Sequence, residues 1–305
     1  MKDKIVIIGG AGFIGSHLVE ELHDKAEVKV IDDLSTGKLE NIQPWLNKIK
    51  FVRGSIRDLE FLKKEFQGYD YVLHHAASVE VVAHSFEKIL DTNDINVDGT
   101  LKVLIAAKET GIKRVVFASS CSVYGNRSIA VEDWQTQPIS PYAAAKLAGE
   151  HYCKFFHNVF GIETVNLRYF NVYGKRQNPH YAAAIPTFIN LIKNDKQPVV
   201  YGTGEQTRDF VYVKDVVRAN ILALKEKNAV GGTFNIAQGK SISVLELINT
   251  INKIFNKNIQ PKFEKARPGD IIKSIADVEK AKRLLNFEAK YSVEEGIKDM
   301  LGIKN

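Results

Sequence analysis

Short apolar runs alternate with segments whose apolar positions recur every three or four residues through the first half of the chain. The run Ile5 to Ile8 has the length and β-branched content of a buried strand, and it stops at Gly9-Gly10-Ala11-Gly12-Phe13-Ile14-Gly15. Residues 16–22 then read as a helix, and residues 27–31 as a second strand that ends in Asp32. Further strands are expected from Phe51 into a turn through Ser55 and Ile56, at residues 69–74, at residues 113–118 and at residues 162–168. Helical patterns lie between them, at residues 98–109 (apolar Leu101, Leu104 and Ile105, capped by Gly111) and from Ser140 to about Val159. Strict alternation of this kind implies a doubly wound α/β fold of Rossmann type: a parallel sheet with helices on both faces.

Beyond Lys175 the alternation fails. Short strands at residues 199–201, 209–213 and 233–237 mix with helices at 185–193, 214–225 and 244–256. The expectation is a first domain of residues 1–174 and a smaller α/β lobe of residues 175–305, with segments near 209–238 returning to the first. The helix from Ser140 carries two apolar stripes. Ala145, Gly149, Cys153, Phe156 and Phe160 can pack on the sheet, whereas Ala148, Tyr152, Phe155 and Val159 need a second partner. That partner is an adjacent helix of the same chain or of another subunit, and a homodimer is the favoured expectation.

Composition adds bounds. The 305 residues are 45% hydrophobic and 26% charged, enough for a large core in a globular protein. No apolar stretch approaches the roughly 18 residues of a membrane span, and no signal-peptide pattern precedes Ile5. Cys121 and Cys153 make no disulfide framework, so a cytoplasmic enzyme is the simplest expectation. The net charge of +6 does not point to nucleic acid, because Lys and Arg are dispersed among 36 acids without a basic stripe. It does suit an anionic small substrate.

The glycine turn sits between a strand and a helix N-terminus, where a dinucleotide diphosphate binds. Gly9, Gly12 and Gly15 permit the tight turn and bring backbone N–H groups to the phosphates. Asp32 can accept both ribose hydroxyls of the adenosine half and repels a 2′-phosphate, which favours NAD over NADP. Asp33, Ser35, Thr36 and Gly37 form a polar loop placed to wrap that ribose. The small Ala76 and Ala77 end the fourth strand, where a cofactor can pass close to the backbone. His74 and His75 are neighbours on a strand and point to opposite faces, so a structural role is expected of them rather than a metal site.

Ser119 to Gly125 follows the fifth strand, at the end of the sheet where ligands bind. Tyr142 and Lys146, four residues apart, project from one side of a helix. An isolated Tyr-x-x-x-Lys says little, but downstream of a dinucleotide turn it suggests a base. A tyrosine hydroxyl titrates near 10, and a nearby ammonium favours the phenolate. Lowering that pKa by about three units needs roughly 4 kcal/mol, within reach of Lys146 and a cationic nicotinamide. Ser120 can relay the proton of a substrate hydroxyl to Tyr142.

Gly9-x-x-Gly12-Phe-Ile-Gly15, Asp32, Ser120 and Tyr142-x-x-x-Lys146 together resemble the extended short-chain dehydrogenase/reductase family over nearly the whole chain. The resemblance implies Tyr142 as base, Lys146 on the nicotinamide ribose and Ser120 assisting. It also places Phe13, Ile14, Ser55, Ile56, Ala76, Ala77, Asn96 and Phe170 around NAD. Within the family the chain is similar to UDP-hexose 4-epimerases, in which Asn171, Arg208, Arg267 and Asp270 would hold UDP and Tyr201 would wall the uracil pocket. Arginine suits that diphosphate through its fixed fork of donors. The implied chemistry is oxidation at C4, rotation of the 4-keto sugar, and reduction from the other face.

Dehydratases and decarboxylases of the family carry an acid beside the catalytic Ser or Thr, and here Cys121 and Ser122 stand in those places. Ser274 leaves room for an N-acetyl group, and His180 to Pro186, which includes Ala184 and Ile185, resembles the UDP-N-acetylglucosamine 4-epimerases. Between Ala77 and Ser85 the chain is one residue longer than the family pattern; Glu80 there would accept sugar hydroxyls and oppose a uronic acid. Two alternatives remain: another 4-keto-forming enzyme (reductase, decarboxylase or dehydratase), and a non-catalytic NAD-binding scaffold.

Overall fold

In the computed structural model the described residues are 2–79, 86–178, 184–266 and 272–303. Glu80, Arg267 and Asp270, together with residues 180–183, lie outside them. Seven parallel strands form the central sheet, in the order Thr233–Ile236, Glu163–Tyr169, Arg114–Ser120, Tyr71–His74, Lys4–Ile8, Glu27–Asp32, Lys50–Arg53. Ile8 pairs with both Ile31 and His74, so three strands end at one level beside the glycine turn. From the Lys4–Ile8 strand the chain builds outward first to one side and then to the other. This is the switch point at which a parallel sheet opens a crevice for ligands.

Alternating residues on each strand feed two separate cores, as the two-residue period requires. Ile5, Ile7, Val28, Val30, Leu73, Val165 and Leu167 pack with the helices Phe13–Leu22 and Val213–Lys225. Val6, Ile8, Ile31, Val72, Val115 and Phe117 meet the helices Leu59–Phe66, Gly99–Thr110 and Pro141–Phe160 on the other face. The Gly99–Thr110 helix buries Val103, Leu104 and Ala107, while Leu101 and Ile105 sit at its half-buried edge. It ends as expected at Gly111, whose φ of +78° suits a residue without Cβ.

The Pro141–Phe160 helix starts where Ser140 Oγ accepts from the Ala143 N–H at 3.1 Å, with Pro141 in its first turn. Ala145, Gly149, Cys153 and Phe156 are buried against the sheet; a Cβ on Gly149 would lie 2.5 Å from the Phe117 ring. Phe160 departs from the expected stripe. It is the last residue of the helix and is exposed. Phe155 and Val159 are exposed too, and the neighbouring helix Phe86–Asn93 leaves Phe86 and Leu90 exposed.

Outside the central sheet the described strands form three smaller sheets. Strands Ser241–Ser243, Thr207–Tyr212 and Asn171–Tyr173 form one sheet, Val199–Tyr201 pairs with Lys262–Glu264, and Ile129–Ala130 pairs with Ile275–Ala276. Tyr173, Ile185, Phe188, Ile192, Phe210, Leu247, Ile251 and Ile297 make a third core here. None of the described helices is long and apolar enough to cross a membrane.

Candidate active site

Two adjoining cavities open at the switch point. The first, about 260 Å³, is lined by Gly9, Gly12, Asp32, Asp33, Ser35, Thr36, Gly37, Ser55, Ile56, Ala76 and Ala77. The second, about 460 Å³, is lined by Phe13, Ile14, Gly15, Tyr142 and Lys146, and shares Gly9, Gly12, Thr36 and Ala77 with the first. Local sterics account for the glycines. Gly9 has φ +76° and a Cβ there would lie 2.7 Å from Ala76 N, while a Cβ on Gly15 would lie 2.1 Å from Gly9 O. Gly12 forms the N-cap of the Phe13–Leu22 helix, so the helix's positive end faces the cavity.

Asp32 has a structural task that the sequence did not announce. Its Oδ2 accepts from Ala11 N and its Oδ1 from Leu34 N, each at 2.9 Å, which ties the glycine turn to the loop after the second strand. Burial raises its pKa above the usual carboxylate value, against those two bonds. Asp33 is occupied locally, accepting from the Ser35 hydroxyl at 2.6 Å. Asn96 and Phe170 stand behind the walls. Asn96 is buried and bonded to Ser78, and Phe170 packs with Val123, Tyr124 and Ala237.

Ser120 ends the Arg114–Ser120 strand; its hydroxyl accepts from Ser122 N at 3.2 Å and lies near enough to the Tyr142 phenol to favour its ionised form. Lys146 donates to the Ala118 carbonyl at 2.8 Å, with its ammonium 5.8 Å from the centre of the Tyr142 ring. The lysine therefore reaches past the phenol toward the sheet. Burial pushes the Tyr142 phenol up to about 12 and the Lys146 ammonium down to about 8. This is opposite to the lowered phenol that the four-residue spacing suggests, because desolvation outweighs the opposing effect of Ser120 and the Lys146 ammonium is turned to the Ala118 carbonyl instead. Cys121, beside Ser120, is likewise pushed up to about 12 by burial and is no acid.

On the far side, Asn171 donates to the Asp209 carbonyl at 2.8 Å, next to Arg208 on the Thr207–Tyr212 strand. Thr207 N donates to Ile272 O at 2.9 Å, which brings the segment carrying Ser274 alongside Arg208. Asp209 is buried and accepts from Gln238 N, Gly239 N and Ala276 N, joining three chain segments beneath Arg208. Tyr201 ends its short strand, and Ala184 and Ile185 start the Ala184–Lys193 helix, with Ile185 inside the third core. Ser122 has a buried hydroxyl with no protein partner.

Lining residues not anticipated from the sequence include His75, Lys38, Arg176, Gln177 and Asn178, with Glu40, Lys88 and Asp91 adding charge of both signs. His75 lies in both cavities. Its two ring nitrogens are buried without a protein partner, and burial beside Lys146 takes its pKa down to about 3, so it stays neutral. Arg176 and Lys38 supply positive charge near the glycine turn, and Arg176 is held by Glu20 and the Trp45 ring. A turn of backbone N–H groups, a buried carboxylate, cations near the turn and a neutral imidazole between the two cavities, with one donor and one acceptor nitrogen free of protein partners, fit NAD.

The comparisons with known proteins agree with that geometry. Residues 5–237 match the model of the NAD dependent epimerase/dehydratase family. The chain belongs to this family, the extended short-chain dehydrogenases/reductases, whose cofactor is NAD. A UDP-N-acetylglucosamine 4-epimerase from Methanobrevibacter ruminantium M1, solved with UDP-N-acetylmuramic acid, is 41% identical with a TM-score of 0.91, covering 99% of this chain and 96% of its own. The Thermotoga maritima UDP-glucose 4-epimerase, solved with UDP-glucose, is 37% identical with a TM-score of 0.90, covering 98% and 97%. A UDP-N-acetyl-alpha-D-glucosaminuronate decarboxylase from Bacillus cytotoxicus is 34% identical over 99% of this chain and 97% of its own. Relatives at similar identity thus differ in the sugar and in the step that follows oxidation.

Proposed function

We propose that the chain is a UDP-hexose 4-epimerase that interconverts UDP-Glc with UDP-Gal and UDP-GlcNAc with UDP-GalNAc. The observation that carries this reading is the Ser120–Tyr142–Lys146 group, followed after Ser120 by Cys121 and Ser122 where an acid would otherwise stand. Oxidation at C4 needs a hydroxyl relay and a base; elimination or decarboxylation would ask for a further acid, and a buried thiol does not supply one. NAD, when bound, supplies the acceptor and donor of hydride. Ser120 holds the sugar hydroxyl, Tyr142 takes and returns its proton, and Lys146 orients the base and the cofactor ribose.

Asn171, Arg208 and Tyr201, with Arg267 and Asp270, anchor UDP, while Ala184, Ile185 and Ser122 border the sugar. Tight anchoring of UDP beside loose sugar contacts lets the 4-keto sugar turn over without leaving. Ser274 admits the acetamido group, and Glu80 disfavours uronic acids. The exposed faces of the Phe86–Asn93 and Pro141–Phe160 helices support a homodimer, because together they leave Phe86, Leu90, Phe155 and Val159 uncovered.

Proton NMR of the purified protein with UDP-GlcNAc and, separately, UDP-Glc tests the reading. Formation of the galacto product without net NADH supports it. Release of water or CO₂, or net consumption of NAD, would replace it with the dehydratase, decarboxylase or reductase alternative suggested by the decarboxylase relative. No conversion with several UDP-sugars and added NAD would favour a binding scaffold.

A further inference from the structure

Behind Ser120, Tyr142 and Lys146 lies a buried ion pair to which the proposed chemistry gives no task. Glu150 stands one helical turn beyond Lys146 and two beyond Tyr142 on the Pro141–Phe160 helix, so all three share the face turned to the sheet. Its Oε2 accepts from Arg168 Nη2 at 2.6 Å and its Oε1 from Arg168 Nε at 2.9 Å. The same Oε1 accepts from the hydroxyl of Ser119, the residue before Ser120. Both charged side chains are 6% exposed. Arg168 belongs to the Glu163–Tyr169 strand, and it continues the network by donating to Tyr124 Oη at 2.8 Å and to the Glu132 carbonyl at 3.2 Å.

We propose that Glu150 is a positioning residue: its carboxylate clamps the Ser119–Ser120 strand end to the helix of Tyr142 and Lys146, and so sets the Ser120 hydroxyl against Tyr142. One carboxylate is bonded at once to two adjacent strands and is carried by the helix that crosses them. A buried pair of this kind is a poor source of stability, since well-packed apolar side chains often do as well. What apolar side chains cannot supply is direction. A hydrogen bond to Ser119 fixes the rotation of the strand end, and Ser120 follows it by one residue. Proton relays depend on such placement, because a shift of about 1 Å in a catalytic group can cost on the order of a hundredfold in rate. Glu150 also acts on Lys146 in the direction that keeps it charged, opposing the desolvation of that ammonium.

The inference rests on the proposed epimerase chemistry, so the wild-type protein is assayed beside Ser119→Ala and the double variant Glu150→Leu with Arg168→Met. Stability, bound NAD per protomer, kcat and KM are measured for each. Ser119→Ala leaves the ion pair intact and should keep its Tm and NAD while kcat falls about threefold and KM is unchanged. The double variant, with apolar groups in place of the pair, should recover stability yet lose about tenfold or more in kcat. A double variant with wild-type Tm and wild-type kcat would overturn the proposal, as would an unchanged kcat in Ser119→Ala if the double variant does not fold. An inactive wild type would count against the proposed function instead. The clamp is then judged by a crystal structure of Ser119→Ala, in which a Ser120 hydroxyl displaced from Tyr142 supports it and an undisturbed one refutes it.

Discussion

Asn96 and Ser78 face each other as a matched pair: Asn96 Oδ1 accepts from Ser78 N and Asn96 Nδ2 donates to Ser78 O, both at 2.8 Å. The asparagine sits in a short π-helical turn, Asp94–Asp98, that leads into the Gly99–Thr110 helix. It thus props the Ala76–Val79 stretch, which forms one wall of the cavities, from outside. Asn96→Ala leaves two backbone groups without partners, at a cost of about 1–3 kcal/mol. The expected outcome is a lower Tm together with weaker retention of NAD, read from the cofactor content of the purified protein. Unchanged NAD content would show that the wall holds its shape without the pair.

Tyr142→Phe removes the hydroxyl beside Ser120 and leaves a ring of nearly the same shape in the same pocket. Loss of a general base of this kind typically lowers kcat by about 10²–10⁴-fold. The epimerisation rate measured by NMR should fall within that range, while bound NAD and KM stay near wild type. A rate within about threefold of wild type would remove Tyr142 from the proton relay.

His17 gives the stability a pH dependence whose sign is fixed by burial. The ring is buried, Nε2 bonds to Lys175 O at 3.0 Å, and desolvation together with the nearby Arg176 charge lowers its pKa to about 4. In the unfolded chain the group titrates near 6.5, so the unfolded state binds more protons between those two values. Stability from this site is therefore present above about pH 6.5 and is lost as pH falls toward 4, by about 2 kcal/mol between pH 7 and pH 5. His17→Gln keeps a donor for Lys175 O but does not titrate. Denaturant melts at pH 7 and pH 5 should show the variant losing less stability than wild type on acidification.

Leu90 and Phe155 are 70% and 47% exposed on neighbouring helices, an arrangement that a covering partner would relieve. Leu90→Glu combined with Phe155→Glu places charges on the proposed dimer face at two positions that line neither cavity. Light scattering should report half the mass of wild type, with NAD still bound. An unchanged mass would move the interface elsewhere.

The parallel half of the molecule was legible because its signals are local. β-branched runs, a glycine turn and cap residues such as Ser140 and Gly111 act within a few positions of themselves. Even past Lys175, the Val199–Tyr201 strand lies where its apolar run put it. The Leu59–Phe66 helix was missed, since it buries only Leu62, Glu65 and Phe66 among lysines and glutamates, too thin a stripe to stand out. The Phe86–Asn93 helix exposes its large apolar residues, which defeats a reading based on burial.

Ser120, Tyr142 and Lys146 could be found because one strand end and one helix turn carry them. The placement of His75 could not. Alternation along a strand tells which face a side chain takes but not that the face opens into a cavity. Arg176 was invisible for another reason: its guanidinium is held by Glu20 and the Trp45 ring, partners remote in the chain that no local pattern announces. The raised phenol of Tyr142 likewise reflects burial by distant segments, which spacing along one helix does not encode.

The outermost strand of the central sheet, Thr233–Ile236, arrives more than sixty residues after its neighbour Glu163–Tyr169. On a ribosome, a nascent chain that had emerged only as far as Gly174 would hold six of the seven strands and a bare row of backbone donors and acceptors along Glu163–Tyr169. Such a row is a template for pairing with another chain. Synthesis has to run on through Ile236 before that row is covered. A truncated transcript or an early proteolytic cut would therefore yield a sticky fragment rather than a spare cofactor-binding module.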